Sequence, residues 1–254
     1  MSSTEQFYDE MAGNYHLIFS NWDQSIHRQA RILNKIIQAY LPNQDPDQIK
    51  ILDCACGIGT QAIGLASLSY QVTGSDISSK EIERAREESL KRGLDIHFKT
   101  ADMRSLEVFE EQFDIIIAMD NSLPHLVEDS DLQQALKSIR SQLKDNGLFI
   151  ASIRDYDALN GQKPGLTSQR LMESEDGKRI TFQLWDWEGD IYSITQFMII
   201  PDGEGWGMRY YSGRYRSYLR KTISDYVKEA GFTSANWLMP EDSAYYQPLL
   251  IAKV

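Results

Sequence analysis

Residues 49–64, IKILDCACGIGTQAIG, constrain this chain more than any other stretch. Ile49, Ile51 and Leu52 read as a short buried strand that ends in Asp53. The chain then turns through Cys56, Gly57, Ile58 and Gly59, and Thr60 opens a helix. Glycine is wanted where the backbone turns tightly with positive φ, or where a ligand comes too close for a Cβ. Strand, glycine turn and helix N-terminus in that order make a nucleotide-sized cradle at the carboxyl edge of a parallel sheet. An ordinary strand–loop–helix connection is the plainer reading of the same residues.

Around this stretch the pattern alternates. Two helices are predicted ahead of it, over 4–19 and 24–40, the second carrying Ile26, Ala30, Leu33, Ile36 and Ile37 on one face. Further strands are predicted at 70–73, 95–99, 113–119 and 148–154, with the FDIIIAM run apolar throughout, as a strand covered on both faces should be. Ser78 and Glu81 have the spacing of a capping box at the head of a helix that runs to about residue 92. Another helix is predicted over 130–143. Strand and helix in alternation predict α/β with a mostly parallel sheet.

Beyond Arg154 the grammar changes. Residues 155–168 read as loop, and TFQLWDWEG and DIYSITQFMII meet at Glu188-Gly189-Asp190 like an antiparallel hairpin. A further strand-like run, MRYYSGRYRSYL, follows; a helix over 217–230 and two last strands, near Trp237 and over 249–254, close the chain. The expected organisation is one domain, 1–254, with lid helices at 1–45, a core at 46–154, an antiparallel insertion at 155–216, and 217–254 completing the sheet.

Composition narrows the function class. A formal charge of -11, from 26 basic and 37 acidic residues, argues against nucleic acid as a partner. No apolar run approaches the length needed to span a bilayer, and the polar, acidic residues 1–13 are expected not to be a secretory signal. Cys54 and Cys56 suit neither a zinc site nor a disulfide framework, so small buried thiols in a cytoplasmic protein are expected.

The strand ends offer Asp53, Asp76, Asp102, Asp120-Asn121 and Arg154 to one rim. Asp76 lies about twenty residues past the first glycine, where an acid grips both ribose hydroxyls. Asp102 would accept from an adenine amino group, with Ile77 or Met103 over the adenine face. Either acid read plainly is a helix cap. Gly57, Gly59 and Ala62 alone would also suit a dinucleotide.

With these residues in hand, ILDCACGIGT resembles the first motif of class I S-adenosylmethionine-dependent methyltransferases. Asp76, Asp102 and FDIIIAMDNSLPHL sit where that family's later motifs sit. The resemblance implies a Rossmann-like, seven-stranded, mostly parallel sheet, with S-adenosyl-L-methionine as cofactor and a small-molecule methyl acceptor as partner. Ala55 and Met119 join the expected cofactor contacts.

A narrower resemblance is to glycine N-methyltransferase and the glycine/sarcosine enzymes. It rests on Asn121-Ser122-Leu123-Pro124-His125-Leu126, on IRDYD with Arg154, and on FYDEMAGNY with Tyr8 and Tyr15. In that family a basic residue of the second helix holds the cofactor's carboxylate, and Arg28 is the nearest here. The expected roles follow: Arg154 clamps a substrate carboxylate, Asn121 and Tyr8 accept from the amine, and Trp22, Tyr15, Tyr210 and Tyr211 help line the pocket. His125 is expected to be a packing residue.

Three other readings stay open. One is methyl transfer to oxygen or carbon. A metal-dependent version would need acids at the ends of the fourth and fifth strands, Asp120 and Asp155; the expectation is no metal. The third is a non-catalytic binder of the cofactor or its demethylated product.

Overall fold

Apolar runs and helical stripes alternate along the chain, and strands and helices alternate with them. The computed structural model describes residues 3–174 and 177–254. In chain order come α1 (Thr4–Met11), α2 (Trp22–Tyr40), β1 (Lys50–Asp53), α3 (Thr60–Ala66), β2 (Gln71–Asp76) and α4 (Ser79–Lys91). Next are β3 (His97–Thr100), β4 (Phe113–Ala118), α5 (Asp129–Gln142), β5 (Leu143–Ser152) and α6 (Tyr156–Leu159). A second sheet follows: β6 (Arg170–Ser174), β7 (Gly177–Glu188), β8 (Ile191–Asp202) and β9 (Gly205–Arg216). The chain ends with α7 (Arg220–Glu229), β10 (Ser234–Leu238), α8 (Pro240–Ser243) and β11 (Leu249–Lys253).

The first sheet has the order β10-β11-β5-β4-β1-β2-β3. β1 to β5 pair in parallel and β11 runs antiparallel between β5 and β10, so the α/β, mostly parallel, seven-stranded expectation holds. The second sheet is antiparallel throughout, as the insertion pattern implies.

β4 shows why the sheet is buried on both faces. Ile115, Ile116 and Ile117 are all fully buried, although they alternate sides. Ile51, Ile115 and Ile117 face a cluster that includes Ile26, Leu33 and Ile37 of α2, Ile63 of α3 and Ile82 of α4. Leu52 and Ile116 face the other, with Leu136 and Ile139 of α5, Ile223 of α7, and Trp185, Tyr192 and Tyr215 of the second sheet. Burying a large apolar side chain contributes about 1.5–3 kcal/mol, so this shared core ties the two sheets together.

The N-terminal segment packs on the second sheet. Phe7 and Met11 of α1 join Leu17, Met198 and Tyr211 in a separate cluster. Gly213 makes room for it: a Cβ there would stand 3.3 Å from the Phe7 ring. Arg179 of β7 is buried and donates to the carbonyls of Leu17 and Phe19, fixing the backbone that follows.

Several boundaries differ from expectation. The helix predicted over 4–19 stops at Met11, and a single 3-10 turn, Tyr15–Ile18, follows. Gly13 and Asn14 break it, and the Asn14 side chain donates to the Tyr211 hydroxyl instead. β6 is an added strand that RLMES does not advertise. The strand predicted from 148 begins at Leu143, with Asn146 at φ 63°, and the helix predicted from 217 begins at Arg220. No described helix is long and apolar enough to cross a membrane.

Candidate active site

Strand order reverses between β1 and β4, the place where open α/β sheets take ligands. A cavity of about 210 Å³ opens there; one ordered water needs only ~10–15 Å³. Its lining brings together Tyr8, Tyr15, Ala55, Gly57, Asp76, Ile77, Asp102, Met103 and Met119 from the sequence-predicted set.

The glycine turn forms the floor. Gly57 and Gly59 both adopt positive φ, 52° and 92°, and Gly59 stands just before α3. Gly59 does not line the cavity; a Cβ on it would press on Ile63 at 3.0 Å. The Gly57 N–H donates to Asp76 Oδ2 at 2.9 Å, and the Ser78 N–H donates to Asp76 Oδ1 at 3.0 Å. An ionised carboxylate has about four acceptor sites, so Asp76 keeps capacity for sugar hydroxyls. Burial leaves its carboxyl raised, and these N–H bonds offset only part of that.

Asp53 lies beneath the turn, fully buried and outside the lining, with only the backbone N–H groups of Ala55 and Ala62 to offset its burial. Burial pushes its carboxyl well above the ordinary range. Cys54 and Cys56 line the cavity with thiols that burial pushes up in the same way, so they are poor nucleophiles.

Asp102 departs from its expected role. Arg104 occupies both its oxygens, with Nε at 3.1 and 3.0 Å and Nη2 at 2.5 Å, and the Arg104 N–H adds a further bond at 2.9 Å. Although burial pushes the Asp102 carboxyl up, Arg104 holds it below the usual range. An acid engaged four times over has little left for an adenine amino group.

At the end of β4, Asp120 and Asn121 both take left-handed φ, 55° and 70°. Asp120 faces the cavity and accepts from Tyr245 at 2.7 Å, Tyr246 at 2.5 Å and Gln61 at 2.9 Å. Gln61 also donates to Gln29, whose side-chain oxygen lies beside the Tyr245 hydroxyl. None of Gln29, Gln61, Tyr245 and Tyr246 carries a role assigned from the sequence.

Asn121 is buried, and its oxygen accepts from the Arg154 N–H and the Tyr156 hydroxyl, each at 2.9 Å. It is therefore a positioning residue outside the cavity lining, with no free acceptor for an amine. His125 takes the place expected for it. Its Nε2 shares a 2.7 Å hydrogen bond with the Tyr8 hydroxyl, and its ring packs 4.0 Å from that of Tyr215. Burial, then the charge of Arg154, lowers the imidazole to about 3, so it is neutral in ordinary buffers.

Arg154 stands behind this wall. Its guanidinium lies 4.7 Å from the Trp185 ring centre and 5.5 Å from that of Tyr215, and donates to the Tyr192 hydroxyl at 3.1 Å. Asp155 and Asp157, its plainest partners by sequence, both pair with Arg220. No carboxylate among the described residues pairs with Arg154, while its field reaches His125 and Tyr246 on the cavity side. Asp155 also caps α6, so it does not join Asp120 as a metal-binding pair.

Four expected contacts fall elsewhere. Arg28 is exposed, on the face of α2 opposite its buried stripe. The Trp22 indole donates to Thr60 Oγ1 at 2.9 Å and stacks under Arg92, outside the lining. Tyr210 is 63% exposed on the outer face of β9, and Tyr211 is buried against α1. The inward phase of β9 puts Tyr215 by the cavity instead.

The profile of the family described as Methyltransferase domain matches residues 51–147, which hold the turn, Asp76, Asp102 and β4. Over residues 51–147 the chain is therefore similar to a methyltransferase domain. Glycine/sarcosine N-methyltransferase of Aphanothece halophytica is 27% identical to this chain over 139 residues, covering 54% of this chain and 52% of that one. The chain spans about half the length of the curated relatives it matches. Among solved structures, DesVI of Streptomyces venezuelae superposes with a TM-score of 0.80 at 17% identity, covering 95% of this chain and 97% of that one. CalS10 of Micromonospora echinaspora, an amino pentose methyltransferase solved with S-adenosylmethionine bound, gives 0.73 at 16% identity over 90% and 91%. Both cover the second sheet as well as the first, so the methyltransferase fold extends over nearly the whole chain.

Proposed function

We propose that this chain transfers a methyl group from S-adenosylmethionine to the amine of a small carboxylated substrate such as glycine or sarcosine. One observation carries the cofactor: the sign of the cavity. Asp76 and Asp120 face it, and the sole guanidinium among its described lining residues, Arg104, is tied to Asp102 and Asp131. Such a wall favours a cationic ligand and disfavours a pyrophosphate, which argues against a nicotinamide dinucleotide.

The cradle suits that group. Asp76 would hold the sugar, Ile77 and Met103 would flank the base, and Gly57 would leave space for the rest. When bound, the cofactor supplies a methyl already activated on a sulfonium. What the chain supplies is orientation and dryness, and orientation alone contributes roughly 7–11 kcal/mol to such reactions. Tyr8, Tyr15 and His125 present neutral polar groups to the acceptor amine, whose proton leaves to solvent. Arg154 stands behind the wall without an acid partner, so its charge would favour a substrate carboxylate through its field rather than through a direct hydrogen bond.

The N-methyltransferase relative supports the amine, and the unpaired guanidinium supports the carboxylate. Calorimetry with S-adenosylhomocysteine tests the cofactor. Mass spectrometry after incubation with S-adenosylmethionine and a panel of amino acids, amino sugars and phenols tests the acceptor. A methylated phenol alone would move the reading to O-methylation, a methylated amino sugar alone would remove the carboxylate, and binding without turnover would make the chain a sensor. Arg154→Met is expected to raise KM for a carboxylated amine at least tenfold while leaving cofactor affinity within twofold; an unchanged KM removes that role.

A further inference from the structure

The first turn of α4 carries a carboxyl group that the helix does not use. Only half of the expected capping box forms: Ser78 Oγ accepts from the Glu81 N–H at 3.1 Å, but the Ser78 N–H donates to Asp76. Ser78 Oγ in turn donates to Asp9 of α1 at 2.6 Å. The Glu81 side chain enters the cavity instead. It is 1% exposed, its Oε1 has no hydrogen-bond partner, and its Oε2 lies 2.8 Å from where a Cβ on Gly57 would stand. Asp76 reaches the same glycine through its N–H. Two carboxyl groups, one from the end of β2 and one from the start of α4, therefore flank Gly57 and line one cavity. A buried polar group left unsatisfied is costly, and an apolar side chain would pack this turn at no such cost.

We propose that Glu81 is a second sugar-binding residue, taking one hydroxyl of a nucleoside's vicinal diol while Asp76 takes the other. The inference rests on the nucleoside reading given above. Burial, then the charges of Asp76 and Asp9, pushes the Glu81 carboxyl well up, whereas Asp76 is restrained by its N–H bonds. Of the two, Glu81 is the one pressed further toward the neutral form, by burial and by its neighbours' charges. In that form it donates as well as accepts, and Asp76 only accepts. A neutral and an anionic carboxyl side by side read a diol in one orientation without placing two negative charges together.

The test is isothermal titration calorimetry of S-adenosylhomocysteine and its 2′-deoxy and 3′-deoxy analogues against wild type, Glu81→Leu and Glu81→Gln. Wild type should bind each analogue about tenfold or more weakly than the parent, the scale of one buried hydrogen bond. Glu81→Leu should lose a similar factor on the parent, and lose nothing further on the one analogue that lacks its hydroxyl. Glu81→Gln, which can still donate and accept, should stay within about threefold of wild type on all three ligands. Equal losses on all three ligands in Glu81→Leu, or none on the parent, overturn the inference while leaving the nucleoside reading standing. Failure of wild type to bind the parent overturns that reading itself.

Discussion

His125 makes the dryness of its side of the cavity measurable. Its imidazole is lowered from an ordinary 6.5 to about 3 by burial and by the nearby Arg154 charge. Between these values the unfolded chain binds a proton that the folded chain refuses. Stability from this residue is therefore complete above pH 6.5 and drains away as the pH falls toward 3. Each pH unit inside the window is worth about 1.36 kcal/mol, so going from pH 6.5 to 4.5 removes up to about 2.7 kcal/mol. The ring is partly open to the cavity, and solvent screening makes this an upper bound, with about 1–2.7 kcal/mol expected. The comparison is urea unfolding of wild type and His125→Gln at pH 7.5 and 4.5, followed by tryptophan fluorescence. Glutamine retains a partner for the Tyr8 hydroxyl and does not titrate, so other acid-labile groups cancel in the difference. Wild type should lose more than the variant by that amount. A difference below about 0.5 kcal/mol would mean that the imidazole titrates as it does in water, and the wall between the cavity and Arg154 would have to be wet.

Asp53 gives the opposite sign. Its raised carboxyl holds a proton that the unfolded chain releases above pH 3.8, so stability falls as pH rises through the window above that value. Asp53→Asn should gain on wild type between pH 4 and 8 in thermal melts; a constant gap refutes this. Gly57→Ala should destabilise by at least about 1–2 kcal/mol, the cost of a left-handed conformation for an L-residue, plus the clash with Glu81. Adding Glu81→Ala should restore only the clash, which a double-mutant cycle in urea reads directly. Arg179→Leu strands the carbonyls it serves and should cost about 2–3 kcal/mol, with faster chymotryptic cleavage near Tyr15 and Phe19. Unchanged cleavage would detach Arg179 from that segment.

What was legible in the sequence was local. Apolar runs for β1 and β4, the glycine turn and the acid at the end of β2 each depend on neighbours within a few residues, and each stands where the pattern puts it. Arg28 also carried a usable signal: Ile26, Ala30, Leu33 and Ile37 define the buried stripe of α2, and position 28 falls on the far side. Asp102 lines the cavity as the sequence implies, but its ion pair with Arg104, two residues on, is something no rule of spacing ranks against a ligand. On β9 the alternation does not fix the phase, which turns Tyr210 outward; Tyr211 shares the inward phase of Tyr215 but stands further back along the strand, against α1. The partners of Asp120 were beyond reach, because Tyr245 lies 125 residues away in sequence and meets it only once β11 has crossed the sheet. Asn121 was placed at the correct strand end, but which of its atoms remains free depends on Tyr156, and that is a tertiary fact.

The clasp between α1 and the second sheet has a consequence for biosynthesis. Asn14 finds the Tyr211 hydroxyl across 197 residues of intervening chain, and Phe7 finds its slot at Gly213 across a similar span. On the ribosome the first helix must wait, apolar face uncovered, until β9 has been made. Tyr8 rides on that helix, so its wall of the cavity is completed only after β9 has been made, and nascent chains halted before β9 should have the glycine turn and Asp76 in place with Tyr8 still undocked.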